Sequence, residues 1–364
     1  MKARRTVAAL ALITAGSFIL GHEGKVLSGK EPATKFQADP FWPKPLPDGW
    51  LTGSVGGDCV DSKDHVFIMS RSADADNYSQ VEKDVEKPAP PVIEFDPEGN
   101  VVNSWGDPKV VPSGIHDCYF DHEGNIWISG NADGIAQKYT HDGSKLLLQI
   151  GTKGKFDTSD GTLKGSPLNA SHTMLNRPTS FAEDPATGDI YIADGYGNRR
   201  VVVFDHKGNY IRQFGRQATK EETEAGVGGV FQQYVHCLLL SNDGLLYVAD
   251  REGRRIQVFD KMGNFKKNIF LKRRRSDLPG HGTPFAMAFS RDKGQKYMYV
   301  ADGVDEIIWT LDRETGETIG TGFGRRGHMP GEFYVHSMAI NSKGDIFIGE
   351  GLGRRVQKFK AVGN

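Results

Sequence analysis

The sequence predicts an all-β protein, a six-bladed β-propeller with an N-terminal strand closing the ring. Three observations predict it. The chain carries 45 glycines in 364 residues, the composition of a fold rich in turns. A pattern of short apolar strands separated by Gly/Asp/Arg turns recurs at intervals of roughly 40 to 60 residues, the length of a four-stranded blade. The last copy, DIFIGEGLGRRVQKF, runs out after its third strand near Phe359, so a segment from the other end of the chain must complete its blade.

Lys2, Arg4 and Arg5 precede a mainly apolar run from Val7 to Leu20, the order of charge and hydrophobicity found in secretory signals. Residues 1–21 are therefore read as a signal peptide or N-terminal anchor, and the protein as exported, periplasmic or extracellular. The run is short against the roughly 20 residues of a membrane span, and no other stable span is expected. Residues 22–49 contain Pro32, Pro40, Pro43, Pro45 and Pro47 and read as an extended lead-in. Residues 50–364 form the propeller, the segment around Trp50 being expected to supply the missing strand.

The repeats are clearest in DIYIADGYGNRRVVVFDHKGNYIRQFG and LLYVADREGRRIQVFDKMGNFKKNIF, starting at Asp189 and Leu245. Weaker copies start at His65, Asn125 and Tyr297. Arg199, Arg200, Arg254, Arg255, Arg354 and Arg355 recur at matching turns, which favours structural ion pairs over ligand contact. With 45 Lys+Arg against 46 Asp+Glu the net charge is −1, so no global field attracts nucleic acid. The basic cluster Lys272–Arg275 reads as a solvated loop. Three cysteines without a CxxC spacing give no disulfide framework; Cys59, Cys118 and Cys237 fall on inner strands and read as buried thiols. No coiled-coil periodicity suggests an oligomerisation element, so a monomer is expected.

Histidines break the repeat informatively. His116 in SGIHDC, His236 in YVHCLLL and His336 in YVHSMAI each precede the innermost strand of their unit, in blades two, four and six. The matching positions in blades three and five fall at Pro178 and Pro284 or their neighbours. Alternate blades of a six-membered ring can aim three imidazoles at one axial spot, and three neutral imidazoles suit Zn²⁺ with a fourth position open for water or substrate. The alternative is three unrelated polar residues capping central strands. His22, His65, His122, His141, His206, His281 and His328 lack this placement and read mostly as turn or surface residues.

The GNRRVVVF and GRRIQVF elements resemble NHL repeats, and with the three histidines the chain resembles the peptidyl-alpha-hydroxyglycine alpha-amidating lyases over about residues 50 to 360. The resemblance implies a zinc held by His116, His236 and His336, a substrate-orienting arginine at Arg71, where VFIMSR ends, and a catalytic tyrosine at Tyr196 in ADGYGNRR. It implies a small-molecule or peptide substrate with a hydroxylated amide, split into an amide and a glyoxylate-like aldehyde. It also implies Ca²⁺, whose contacts map to Asp58, Cys118 and Ser337. Here the sequence departs from the family, which has Asp where this chain has Ser337; the carboxylate of Asp58 or of Asp117 would have to replace the lost charge. Gly197 stands where vertebrate members have a cysteine, so that local disulfide is absent. Two other readings remain on these residues: an NHL propeller that binds without catalysis, and a metal-dependent hydrolase or lactonase on the same fold.

Overall fold

A computed structural model describes residues 34–47, 49–72, 79, 82, 84, 86–271 and 282–363. The reading of residues 1–21, the first part of the lead-in and the Lys272–Arg275 cluster fall outside them. Among the described residues no helix is long and apolar enough to cross a membrane.

Six four-stranded sheets form the blades, with antiparallel neighbours throughout. Their innermost strands, in blade order, are Val55–Val60, Ile115–Phe120, Phe181–Asp184, Val235–Leu240, Ala286–Phe289 and Val335–Ile340. Six apolar clusters hold the ring, one between each pair of adjacent blades. This follows from the strand pattern: alternate side chains leave each sheet on opposite faces, so each blade packs on both neighbours and the core is distributed around the axis.

The Asp-x-x-Gly-Asn turns explain why the repeat is so visible. In Asp96–Asn100, Asp121–Asn125, Asp205–Asn209 and Asp260–Asn264 the Asp carboxylate accepts the amide of the closing Asn at 2.8 to 2.9 Å. Each intervening glycine has positive φ, 78° to 91°, where a side chain would strain the backbone.

The ring closes with an N-terminal strand, but not the one expected. Lys35–Asp39 pairs antiparallel with Val356–Val362, Lys35 opposite Val362 and Asp39 opposite Lys358. Trp50–Leu51 instead makes a short parallel pairing with Lys87–Pro88. Only five residues long, Lys35–Asp39 lies beside a run of prolines that masks its alternation, which sends Phe36 and Ala38 into the cluster between blades 5 and 6. Trp42 follows it into the seam between blades 6 and 1, against Phe95 and Phe347.

The recurring arginines are structural in part. Arg200, Arg255 and Arg355, at or just before the start of the third strand, reach back to the acid ending the second: Asp194 at 3.0 Å, Asp250 at 2.8 Å and Glu350 at 2.6 Å. Arg354 pairs with Glu82, whereas Arg199 donates to carbonyls of its own turn, including those of Gly197 and Asn198. Because Arg200 and Asp194 are fully buried, Asp194→Ala is expected to leave the Arg200 cation with Asp157, at 3.3 Å, as its one carboxylate and to lower the unfolding free energy by about 3 kcal/mol. Denaturant unfolding checks this; an unchanged midpoint would show that the pair does not hold the blade.

Cys59 and Cys118 are not buried thiols but a disulfide joining the innermost strands of blades 1 and 2, with Cα atoms 5.7 Å apart. Their separation of 59 residues in sequence gives no local signal; ring geometry makes them neighbours. Cys237 remains a thiol, and burial pushes its ionisation up to about 12, which makes it a poor nucleophile.

Candidate metal centre on the ring axis

Strand registers place Gly56, His116, Thr179, His236, Phe285 and His336 at the same level of the six blades, at or just before the innermost strand. Histidines thus alternate with non-histidines around the axis. In blades 2, 4 and 6 the histidine sits where the strand register slips, between Ile115 and Asp117, Val235 and Leu238, and Val335 and Ser337. Such bulges re-aim a side chain out of the regular pleat. Here they point all three imidazoles inward, with ring centroids 4.8, 4.8 and 5.5 Å apart.

The intervening blades orient the rings. His116 Nδ1 lies 3.2 Å from the Thr179 carbonyl, His236 Nδ1 2.6 Å from that of Phe285, and His336 Nδ1 2.8 Å from that of Gly56. Each histidine is therefore tied to the equivalent residue of the next blade. A carbonyl accepts only from a protonated nitrogen, so each Nδ1 carries the hydrogen and each Nε2 lone pair is left for a ligand. Gly56 lets blade 2 and Arg71 pack close at this level: a Cβ there would lie 2.0 Å from the Ile115 carbonyl oxygen and 2.9 Å from Arg71 Nε.

The electrostatics favour neutral imidazoles. Burial, then His236, His336 and Arg71, hold His116 well below the usual histidine range. Burial and Arg251 do the same for His236, and burial and Arg71 bring His336 to about 3. The buried Nε2 of His116 has no hydrogen-bond partner among the described residues, and one ring nitrogen from each histidine lies within 4.8 Å of the other two. A cavity of about 30 Å³ lies among them. Three neutral donors with fixed tautomers around a space for one ion fit Zn²⁺.

Arg71 and Tyr196 both join this face. Arg71 follows the second strand of blade 1 and donates through Nε to the Ile115 carbonyl at 2.6 Å, beside His116. Tyr196 lies in the corresponding turn of blade 3, its hydroxyl 3.2 Å from His236 Nε2 and its ring 5.0 Å from that of His116. Gly197 next to it has no room for a side chain, since a Cβ would meet the Asn176 amide at 2.0 Å.

Arg251 is the functional candidate that sequence reasoning missed. It occupies the same repeat position as Arg71, directly after the second strand, but in blade 4 across the ring. Its Nη1 reaches the Tyr196 hydroxyl at 3.5 Å, and its guanidinium lies 4.2 Å from the Tyr234 ring and 4.6 Å from that of Phe285. The signal was available: blades 3, 5 and 6 have Gly195, Gly303 and Gly351 at this position. Arg177, with φ 65°, places a third guanidinium 5.2 Å from the Tyr196 ring.

The residues mapped to calcium lie deeper along the axis. Asp58 and Cys118 line a cavity of about 280 Å³, and Ser337 lines the smaller one next to the histidines. Among the described residues no donor meets either Asp58 oxygen at hydrogen-bonding geometry, although Ser337 and the Ala339 and Gly349 amides are adjacent. Burial raises the Asp58 carboxyl to about 8 and the Asp117 carboxyl to about 7.

Among known proteins, the Xenopus laevis peptidyl-glycine alpha-amidating monooxygenase B is 27% identical over 254 residues, covering 67% of this chain and 26% of that protein. Human NHL repeat-containing protein 3 is 28% identical over 253 residues (68% and 62%), and Drosophila melanogaster peptidyl-alpha-hydroxyglycine alpha-amidating lyase 2 is 28% identical over 269 residues (71% and 56%). The chain thus spans about a quarter of the first and under two thirds of the others. It is a distant homologue of the amidating lyases and of NHL repeat proteins. No family model matches it. Two solved structures share the fold: virginiamycin B lyase from Staphylococcus aureus with quinupristin (TM-score 0.52, 16% identity, 91% of this chain and 88% of that one) and an auxiliary nutrient binding protein from Bacteroides thetaiotaomicron (TM-score 0.60, 12%, 90% and 77%).

Proposed function

We propose that the protein is an exported zinc-dependent carbon–nitrogen lyase that splits a hydroxylated amide into an amide and a glyoxylate-like aldehyde. The observation that carries this is the convergence of three Nε2 atoms, each imidazole fixed through Nδ1 by the next blade. His116, His236 and His336 would hold Zn²⁺, which supplies Lewis acidity toward the substrate's hydroxyl or carbonyl oxygen. Arg71 and Arg251 approach the site from opposite blades and suit a substrate carboxylate, which a guanidinium fork binds with defined orientation. Tyr196 takes the proton of the substrate hydroxyl as its own proton passes to the departing nitrogen. The C–O bond becomes a carbonyl as the C–N bond breaks, so the hydroxyl proton is balanced by the new N–H and nothing is oxidised. The Cys59–Cys118 disulfide agrees with an oxidising compartment, where such bonds persist.

Incubation with an N-acyl-α-hydroxyglycine tests the reading. Equal amounts of amide and glyoxylate are expected from the zinc-loaded protein and none after His236→Ala; equal yields from both would overturn it.

Calcium is proposed at the deeper level, on Asp58 with Ser337 and Cys118. Calcium prefers several oxygen ligands, and Asp58 offers the one carboxylate among these three. In chelator-treated protein the neutral Asp58 carboxyl stabilises the fold below its ordinary 3.8, and that contribution is lost as pH rises through about 8. Asp58→Asn should therefore gain in melting temperature relative to the parent across this window. Calcium should raise the melting temperature of the parent and leave that of the variant unchanged. A constant difference with pH would contradict the burial argument, and an equal calcium response would remove Asp58 as a ligand.

A further inference from the structure

We propose a second divalent metal site, built from Asp61, Glu94 and His141, with His65 holding Glu94, on the opposite face of the ring at the junction of blades 1 and 2. The first observation is a break in the repeat. Glu94 pairs across from Phe67, Lys138 from Trp127 and Lys358 from Phe347, which puts the three at one position of blades 1, 2 and 6. In blades 2 and 6 that lysine neutralises a buried acid, Asp121 at 2.6 Å and Asp345 at 3.1 Å. Blade 1 has a second carboxylate in place of the cation. Asp61 and Glu94 are nearly buried, with side chains 3% and 8% exposed, and among the described residues no lysine or arginine pairs with either.

Two histidines stand where the cation is missing. His141, from the outer turn of blade 2, brings Nε2 to 2.8 Å from Asp61 Oδ2, and His65 brings Nδ1 to 2.6 Å from Glu94 Oε1. Ligand atoms of Asp61, Glu94 and His141 all lie within 4.8 Å of one another. The other Asp61 oxygen accepts the Lys63 and His65 amides, both at 2.8 Å, which fixes the carboxylate with Oδ2 toward His141. Phe67 and Phe120 wall the His141 ring, each 5.3 Å away between centroids. Both histidines lie in connections between strands, as the sequence suggested, and each faces a nearly buried carboxylate.

One imidazole with two carboxylates suits a borderline ion such as Zn²⁺ better than Ca²⁺ or Mg²⁺, which favour all-oxygen shells. Two carboxylates also balance a divalent charge, which offsets their burial. With ligands from two blades, Asp61 and Glu94 from blade 1 and His141 from blade 2, the role of the site is to clamp blade 1 to blade 2. It does not depend on the proposed lyase activity.

Equilibrium dialysis against Zn²⁺ tests the proposal in a His116→Ala/His236→Ala protein, which lacks the axial ligands. One zinc per chain is expected there, lost in the same protein carrying Glu94→Lys or His141→Ala. Glu94→Lys installs the residue that blades 2 and 6 use at this position, so the fold should survive it, as circular dichroism would check. No zinc in the axial variant, or zinc retained in both further variants, overturns the proposal: the histidines then form imidazolium ion pairs only, and any bound zinc is adventitious. In the otherwise unchanged chain two zinc ions are expected. A single zinc lost with Glu94→Lys, and kept in the axial variant, would support this site while removing the axial one.

Discussion

Tyr196→Phe is expected to lower turnover of an N-acyl-α-hydroxyglycine by about 10²–10⁴-fold, the usual contribution of a positioned proton-transfer group. Its hydroxyl is the one polar atom the substitution removes. The ring that packs against Tyr234, at 4.3 Å, and beneath Arg177 is retained. Zinc content and melting temperature should therefore stay the same, and KM should change far less than kcat. Steady-state release of glyoxylate measures this. Full turnover in the variant would take Tyr196 out of the proton path and leave the Arg251 contact as its function.

Replacing both Cys59 and Cys118 by serine is expected to lower the unfolding free energy by about 4 kcal/mol, the chain-entropy value for closing a loop of this size. The bond spans 59 residues and ties two innermost strands. One of these strands carries His116 and Asp117, so the loss should also loosen the axial level. Urea unfolding of the variant, and of the parent with and without reductant, measures the effect. Equal midpoints would mean that apolar packing between blades 1 and 2 holds the seam without the bond.

The repeat, the six blades and the convergence of His116, His236 and His336 were legible because each rests on a periodic signal. Blade period sets which residues share a level, so three histidines at one repeat position already implied one axial point. What escaped depends on neighbours that periodicity does not rank. Cys59 and Cys118 lie at slightly different levels of adjacent blades, and only the ring brings them together. Lys35–Asp39 is too short, and too close to a run of prolines, to stand out as a strand. Arg251 escaped for a different reason: it replaces a repeated glycine in one blade, and a repeat pattern ranks what recurs rather than what departs from it. The Nδ1 contacts were beyond reach altogether, because carbonyls belong to every residue and only the fold decides which three face a histidine.

The three axial histidines are proposed to hold a zinc ion. Zinc-edge X-ray absorption spectroscopy, with elemental analysis, tests it most directly on the Glu94→Lys protein, from which the second site has been removed. About one zinc per chain is predicted, with three imidazole nitrogens at about 2.0–2.1 Å, and His336→Ala should abolish the signal. No zinc in a folded protein with all three histidines intact, or the same coordination shell after His336→Ala, would rule out the axial zinc.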